Sequence, residues 1–223
     1  IFFLLVGLEI KRELVSGELS SPKKAALPII AAFGGAIVPA LIYTIFNYGQ
    51  PTAHGWGIPM ATDIAFALAV ITMLGNKVPA SLKIFLAALA IVDDLLAILV
   101  IAIFYSSELH YLYLMYAAAI LAALIIFNKV GVKNIWFYLI PGIFIWYFIH
   151  HSGIHATIAG VLVAMTLPTK AHTGISPLEK VEHAIAGTVS FLIVPLFAIA
   201  NTNITFQSEM VQGLSSPLGL GII

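Results

Sequence analysis

The run from Ile84 to Phe104 holds two adjacent carboxylates, Asp93 and Asp94, in an otherwise apolar stretch. About twenty apolar residues is the length of a helix that crosses a bilayer. The run therefore reads as a span with both acids near the midplane. An ionisable side chain there costs about 3 kcal/mol on insertion scales, and such residues mark ion or proton pathways. A chain that carries two side by side must fold so that protein or a water-filled cavity meets them at membrane depth.

The rest of the chain agrees with a membrane setting. Hydrophobic residues make up 61% and charged residues 9%, against about half and a quarter in a typical globular domain. The net charge is zero, which implies no nucleic-acid partner. There is no Cys, so disulfides and thiol chemistry are excluded. No cofactor is expected. Hydropathy predicts spans near 25–46, 56–74, 84–105, 111–127, 135–149, 154–168 and 184–200, with the tail of an earlier span ending near Leu8 and a later one starting near Pro217. The expectation is an all-α, polytopic membrane bundle. Residues 1–223 would form a single transmembrane transporter domain, a fragment truncated at both ends.

The loops support the span count. All ten basic residues fall in 9–24, 75–83, 128–134 and 169–183, while 47–55, 106–110, 150–153 and 201–216 carry none. By the positive-inside rule the basic loops are cytoplasmic. The alternation requires the apolar stretch 135–167 to break at His150-His151-Ser152-Gly153. Unbroken, it would be about 50 Å long, too long for a ~30 Å hydrocarbon core.

Adjacent helical positions lie about 100° apart, so Asp93 and Asp94 point in different directions. Two nearby carboxyls in low dielectric cannot both ionise cheaply and share their protons as a unit. Such a pair holds protons or a small hard cation, which prefers oxygen ligands. A structural pair bonded to neighbouring helices is the bland alternative. A second feature is Gly55-Trp-Gly57-Ile-Pro59-Met-Ala-Thr62-Asp63. Pro59 removes a donor and disfavours helix before it, which places Thr62 and Asp63 at an interrupted helix. Either could equally be a cap for the half-helix that follows. His151 and His155 stand four apart, a zinc spacing on a helix. Ser152-Gly153 between them reads as a turn, so a metal site beyond a transported ion is not expected. Pro195 predicts a kink, and Asn201, Thr202 and Asn203 a helix end.

Four motifs carry a resemblance: Ala-Ile-Val-Asp93-Asp94-Leu, Ile-Pro59-Met-Ala-Thr62-Asp63-Ile-Ala-Phe-Ala, Phe-Phe-Leu-Leu-Val-Gly7-Leu-Glu9-Ile-Lys11-Arg12-Glu13-Leu, and Ser152-Gly153-Ile-His155-Ala-Thr157. In order and spacing they resemble the NhaA-type bacterial Na⁺/H⁺ antiporters, a fold of inverted repeats and broken helices. The resemblance implies that Asp93 and Asp94 bind cation and proton, and that Thr62 and Asp63 support a broken-helix crossing at the midplane. It implies a Lys partner for the first acid beyond Ile223. It also implies a dimerising hairpin before Ile1, hence a homodimer in the intact protein. Candidates for its pH response are Glu9, Arg12, Glu13, His155, Glu182 and His183. Glu179 stands where the resemblance leads one to expect a basic residue.

The expected function is electrogenic exchange of cytoplasmic Na⁺ or Li⁺ for external H⁺ in the bacterial inner membrane, regulating internal pH and sodium, with no enzyme activity. One rival is an intramembrane aspartyl protease, which also needs two membrane carboxylates. Its acids, however, come from different helices, one in a Gly-x-Gly-Asp context absent here. A non-transporting scaffold would leave three midplane acids without a purpose.

Overall fold

A computed structural model describes residues 1–60, 64–106, 109–170, 174–202 and 213–222. All regular structure among the described residues is helical. The α-helices are α1 (Phe2–Ser16), α2 (Pro22–Phe46), α3 (Ile64–Met73), α4 (Ala80–Phe104), α5 (Tyr111–Val130), α6 (Trp136–His151), α7 (Thr157–Thr166), α8 (Pro177–Thr188), α9 (Val194–Asn201) and α10 (Pro217–Ile222). Pro22–Phe46, Ala80–Phe104, Tyr111–Val130 and the continuous stretch Pro177–Asn201 are long and apolar enough to cross a membrane. Many large apolar side chains face outward, among them Ile45 at 74% and Ile199 at 75% exposure. Such faces suit a hydrocarbon solvent.

The chain divides into two compact units. One comprises residues 18–100 and 203–223. In it α2 packs against a ten-residue 3-10 helix, Pro51–Met60, and against α10. The predicted span 56–74 is therefore two pieces of different winding, a 3-10 leg up to Met60 and α3 from Ile64. Thr62 and Asp63, predicted at its interruption, lie outside the described residues.

The other unit comprises residues 1–17 and 101–202. Its core joins Leu8 of α1, Ala117 and Leu124 of α5, Tyr138 and Ile145 of α6, Ala159 and Val163 of α7, and Leu178 and Val181 of α8. The closest crossing is that of α1 on α7. A Cβ at Gly160 would stand 2.7 Å from the Leu4 backbone nitrogen, and one at Gly7 would stand 2.8 Å from the Ala164 Cβ. Small residues that admit backbones to close approach are the usual contact between membrane helices, which gain no hydrophobic advantage by associating in lipid.

The local signals act as physical chemistry requires. α5 ends at Gly131, whose φ of 87° only glycine adopts freely. The Val132 N–H donates back to the Phe127 carbonyl at 3.0 Å, which completes the cap. The predicted break after α6 is present: Ser152 caps the helix and Gly153 has φ 87°. The His110 N–H donates to the Ser152 carbonyl at 2.9 Å, so the buried turn keeps its backbone bonded.

One boundary needs correction, and the structure shows what accompanies the expected kink. The helix that opens the chain does not stop near Leu8 but continues to Ser16, because Glu9, Lys11, Arg12, Glu13 and Leu14 are good helix formers that carry it on to Gly17. At Pro195 the relief takes the form of a π turn, Val189–Ile193, that precedes α9. A wider turn moves the carbonyl that the proline ring would strike and leaves its missing donor unneeded.

Candidate functional site

Asp93 and Asp94 sit just past Val92, the middle residue of the 25-residue α4. Nothing in Leu-Ala-Ile-Val-Asp-Asp-Leu-Leu interrupts the helix, since Leu and Ala are strong helix formers. Asp93 is buried at 6% exposure and Asp94 is half-buried. From Phe85 to Ile98 no residue of α4 is exposed, whereas both ends of the helix carry exposed positions. The acids thus occupy the enclosed part of a helix whose other side chains in that stretch offer no polar group. This is the environment in which a carboxylate exchanges water for protein oxygens, protons or a bound cation.

A second group of charges gathers where α1, α7 and α8 end or begin. Arg12 Nη1 lies 2.7 Å from Glu182 Oε1, and Arg12 Nη2 lies 3.8 Å from Glu13 Oε1. Glu182 is buried, and its Oε2 has no hydrogen-bond partner. Glu179 and His183 lie on the same helix one turn apart. The structure therefore joins Arg12, Glu13 and Glu182 directly. Lys11, beside Arg12, donates to the carbonyls of Met165 (2.6 Å) and Leu167 (2.5 Å), and Asn128 donates to that of Thr166 (2.6 Å). Three orphan carbonyls at the end of α7 are thereby satisfied. Burial pulls the Lys11 ammonium down to about 8.

His155 stands apart from that group. Its Nδ1 is 2.9 Å from Thr157 Oγ1 at the start of α7, about 15 Å of helix away from the end that Lys11 caps. His151 Nδ1 is bonded to its own helix at Tyr147 O, 2.9 Å. The two histidines of the zinc spacing are thus engaged with different local partners.

Three features were not drawn from the sequence. Ser176-Pro177-Leu178-Glu179 forms a capping box: the Ser176 hydroxyl accepts from the Glu179 N–H at 3.2 Å, and a Glu179 carboxylate oxygen accepts from the Ser176 N–H at 2.8 Å. The S-x-x-E spacing with proline at the first helical position is a readable signal for it. This explains Glu179. Its carboxyl is held below the ordinary range chiefly by the Ser176 N–H and then by the Ser176 side chain, with smaller help from His183 and Arg12. The Lys11–Asn128 cap of α7 and the hydrogen bonds of Asn47 join partners up to 170 residues apart and leave no periodic trace.

The whole chain, residues 1–223, matches the family model described as Na⁺/H⁺ antiporter 1. The chain belongs to this family. It is 69% identical to the Na⁺/H⁺ antiporter NhaA 2 of Flavobacterium johnsoniae over its full length, covering 55% of that protein. It is 51% identical, again over its full length, to the Na⁺/H⁺ antiporters NhaA of Enterobacter sp. strain 638 and Escherichia coli O1:K1 / APEC, covering 57% and 58% of them. The chain thus spans a little over half the length of these relatives. They are transporters by name, not enzymes, and the family match leaves the protease alternative without support.

Proposed function

We propose that this chain forms part of a multi-pass antiporter of the bacterial inner membrane, with loops 9–24, 75–83, 128–134 and 169–183 cytoplasmic, that expels Na⁺ or Li⁺ and admits protons. The observation that carries this reading is the pair of carboxylates in the enclosed middle of α4. Asp94 is the cation ligand and Asp93 the second proton carrier. Thr62 and Asp63 support the site from the interrupted span. On the cytoplasmic side Na⁺ displaces the protons held by the two acids. The loaded site then turns outward, and external protons displace the ion. Two carboxyls per site let two protons enter for each Na⁺ that leaves, so one net charge moves per cycle and the exchange is electrogenic. Protons and Na⁺ compete for the same oxygens, so acid pH stops the exchange. Glu9, Arg12, Glu13, Glu182 and His183 form the pH-responsive cytoplasmic group, with His155 a separate modulator. The intact protein is a homodimer in lipid and regulates internal sodium and pH.

The test is Na⁺-dependent proton movement in everted vesicles bearing the intact protein. Asp94→Asn abolishes it, whereas Asp94→Glu retains some. Exchange at the wild-type rate in Asp94→Asn refutes the site assignment.

A further inference from the structure

A ten-residue 3-10 helix is rarely seen, because the poorer geometry of i→i+3 bonding limits most runs to three or four residues. The leg Pro51–Met60 therefore needs holding from outside. Its holder is a pair of fully buried polar residues one turn apart near the end of α2, Tyr43 and Asn47, each at 0% exposure. The Tyr43 hydroxyl donates to the Thr52 carbonyl at 2.8 Å, and the Thr52 hydroxyl donates to Asn47 Oδ1 at 2.6 Å. The first turn of the leg is thus gripped by both its backbone and its side chain. Asn47 Nδ2 donates to the Tyr43 carbonyl at 3.1 Å and to the Pro217 carbonyl, at the start of α10, at 2.9 Å. No polar atom of the Asn47 side chain is idle, and no other residue type of that size supplies two donors and an acceptor together.

The surroundings have been cut to fit these two side chains. A Cβ at Gly55 would fall onto the Tyr43 hydroxyl, and one at Gly221 would lie 2.7 Å from Asn47 Nδ2. The leg and α10 each present a glycine to the same polar pair. Thr62 follows the last residue of the leg, Met60, by two positions in the chain.

We propose that Asn47 is a positioning residue for ion binding: with Tyr43 and Thr52 it fixes the 3-10 leg that leads into Thr62 and Asp63, and through Pro217 it ties that leg to α10. This rests on the antiport reading above. A loosened leg lowers the fraction of molecules in the binding-competent state, and apparent affinity falls by that fraction. The maximal rate at saturating ion is spared.

The experiment measures the Na⁺ concentration dependence of proton movement in everted vesicles bearing the intact protein, normalised to the amount of protein in the membrane. Asn47→Ala is expected to raise the KM for Na⁺ about tenfold with a maximal rate within threefold of wild type. Thr52→Val, which keeps the shape and removes the donor, shifts KM in the same direction, and Thr52→Ser restores it. Wild-type KM in both Asn47→Ala and Thr52→Val overturns the proposal. So does a loss of maximal rate at unchanged KM, which is what a merely structural role produces. If Asn47→Ala does not reach the membrane, the Thr52→Val and Thr52→Ser pair decides alone. Asp94→Asn in the same assay separates the two ideas. Wild-type exchange in that variant refutes the antiport site itself. An inactive Asp94→Asn beside an Asn47→Ala of normal KM refutes only the role of Asn47.

Discussion

Replacing Gly160 by alanine tests whether the α1–α7 crossing is set by backbone contact. The new methyl carbon would lie 2.7 Å from the Leu4 nitrogen and 2.9 Å from the Phe3 carbonyl carbon, against 3.4 Å for an ordinary contact. Backbone atoms cannot rotate away, so α1 has to retreat by about 0.7 Å, and overpacking of this kind costs about 1–3 kcal/mol. Alanine also gains about 1 kcal/mol of helix propensity over glycine. With backbone as the obstacle the steric cost falls at the top of its range, and the net loss is about 2 kcal/mol. Gly34 of α2 provides the control, since a Cβ there meets nothing within 4 Å. Gly34→Ala keeps only the propensity gain. Heating the detergent-solubilised protein and measuring what remains monodisperse gives the order. Gly160→Ala should melt roughly 4–8 °C below wild type, and Gly34→Ala should melt at or above it. Gly7→Ala, whose Cβ would stand 2.8 Å from the Val161 Cα, is destabilising as well. Its effect is less than additive with Gly160→Ala, because one retreat of α1 relieves both. A Gly160→Ala protein as heat-resistant as Gly34→Ala refutes the reasoning.

Further outcomes follow from the charged group and the capping box beside it. Arg12→Gln leaves a buried carboxylate with one oxygen already unbonded, whereas Glu182→Gln leaves an arginine that is 37% exposed and can turn to water. Arg12→Gln should therefore cost about 2 kcal/mol, discounted from the 3–5 typical of a fully buried pair, and Glu182→Gln less; the reverse order in a thermal melt contradicts this account. Ser176→Ala removes an N-cap worth about 1 kcal/mol. The folded state holds the Glu179 carboxyl below its ordinary 4.5. Its contribution is present above that value and is lost as pH falls through the folded one. Glu179→Gln should flatten the acid limb of the stability curve below pH ~5, measured by hydrogen exchange in residues 177–181, and an unchanged limb counts against the capping box.

What the sequence revealed followed from locally written rules. Helix positions, the break at Ser152-Gly153 and the interruption near Pro59 come from hydropathy, loop charge and the stereochemistry of proline and glycine. The two acids of α4 were legible because their cost at midplane singles them out. The joining of Arg12 to Glu182 was implied only by the family resemblance, since the partners stand 170 positions apart and their spacing carries no period. The extension of α1 to Ser16 was missed because the apolar signal stops at Leu8 while helix propensity does not. At Pro195 sequence marks that the helix must yield, but whether it bends or widens depends on packing that no local pattern records.

The shortness of α7 bears on how the chain is assembled. Its ten residues cover about 15 Å, half of a hydrocarbon core. Such a piece does not partition into lipid on its own merit. Its last carbonyls are bonded by Lys11 and Asn128, which arrive on α1 and α5. Both of those helices precede α7 in the chain, so the groups that complete its end are synthesised before it. The order of elements along the chain thus places this short helix after the two side chains that complete its end.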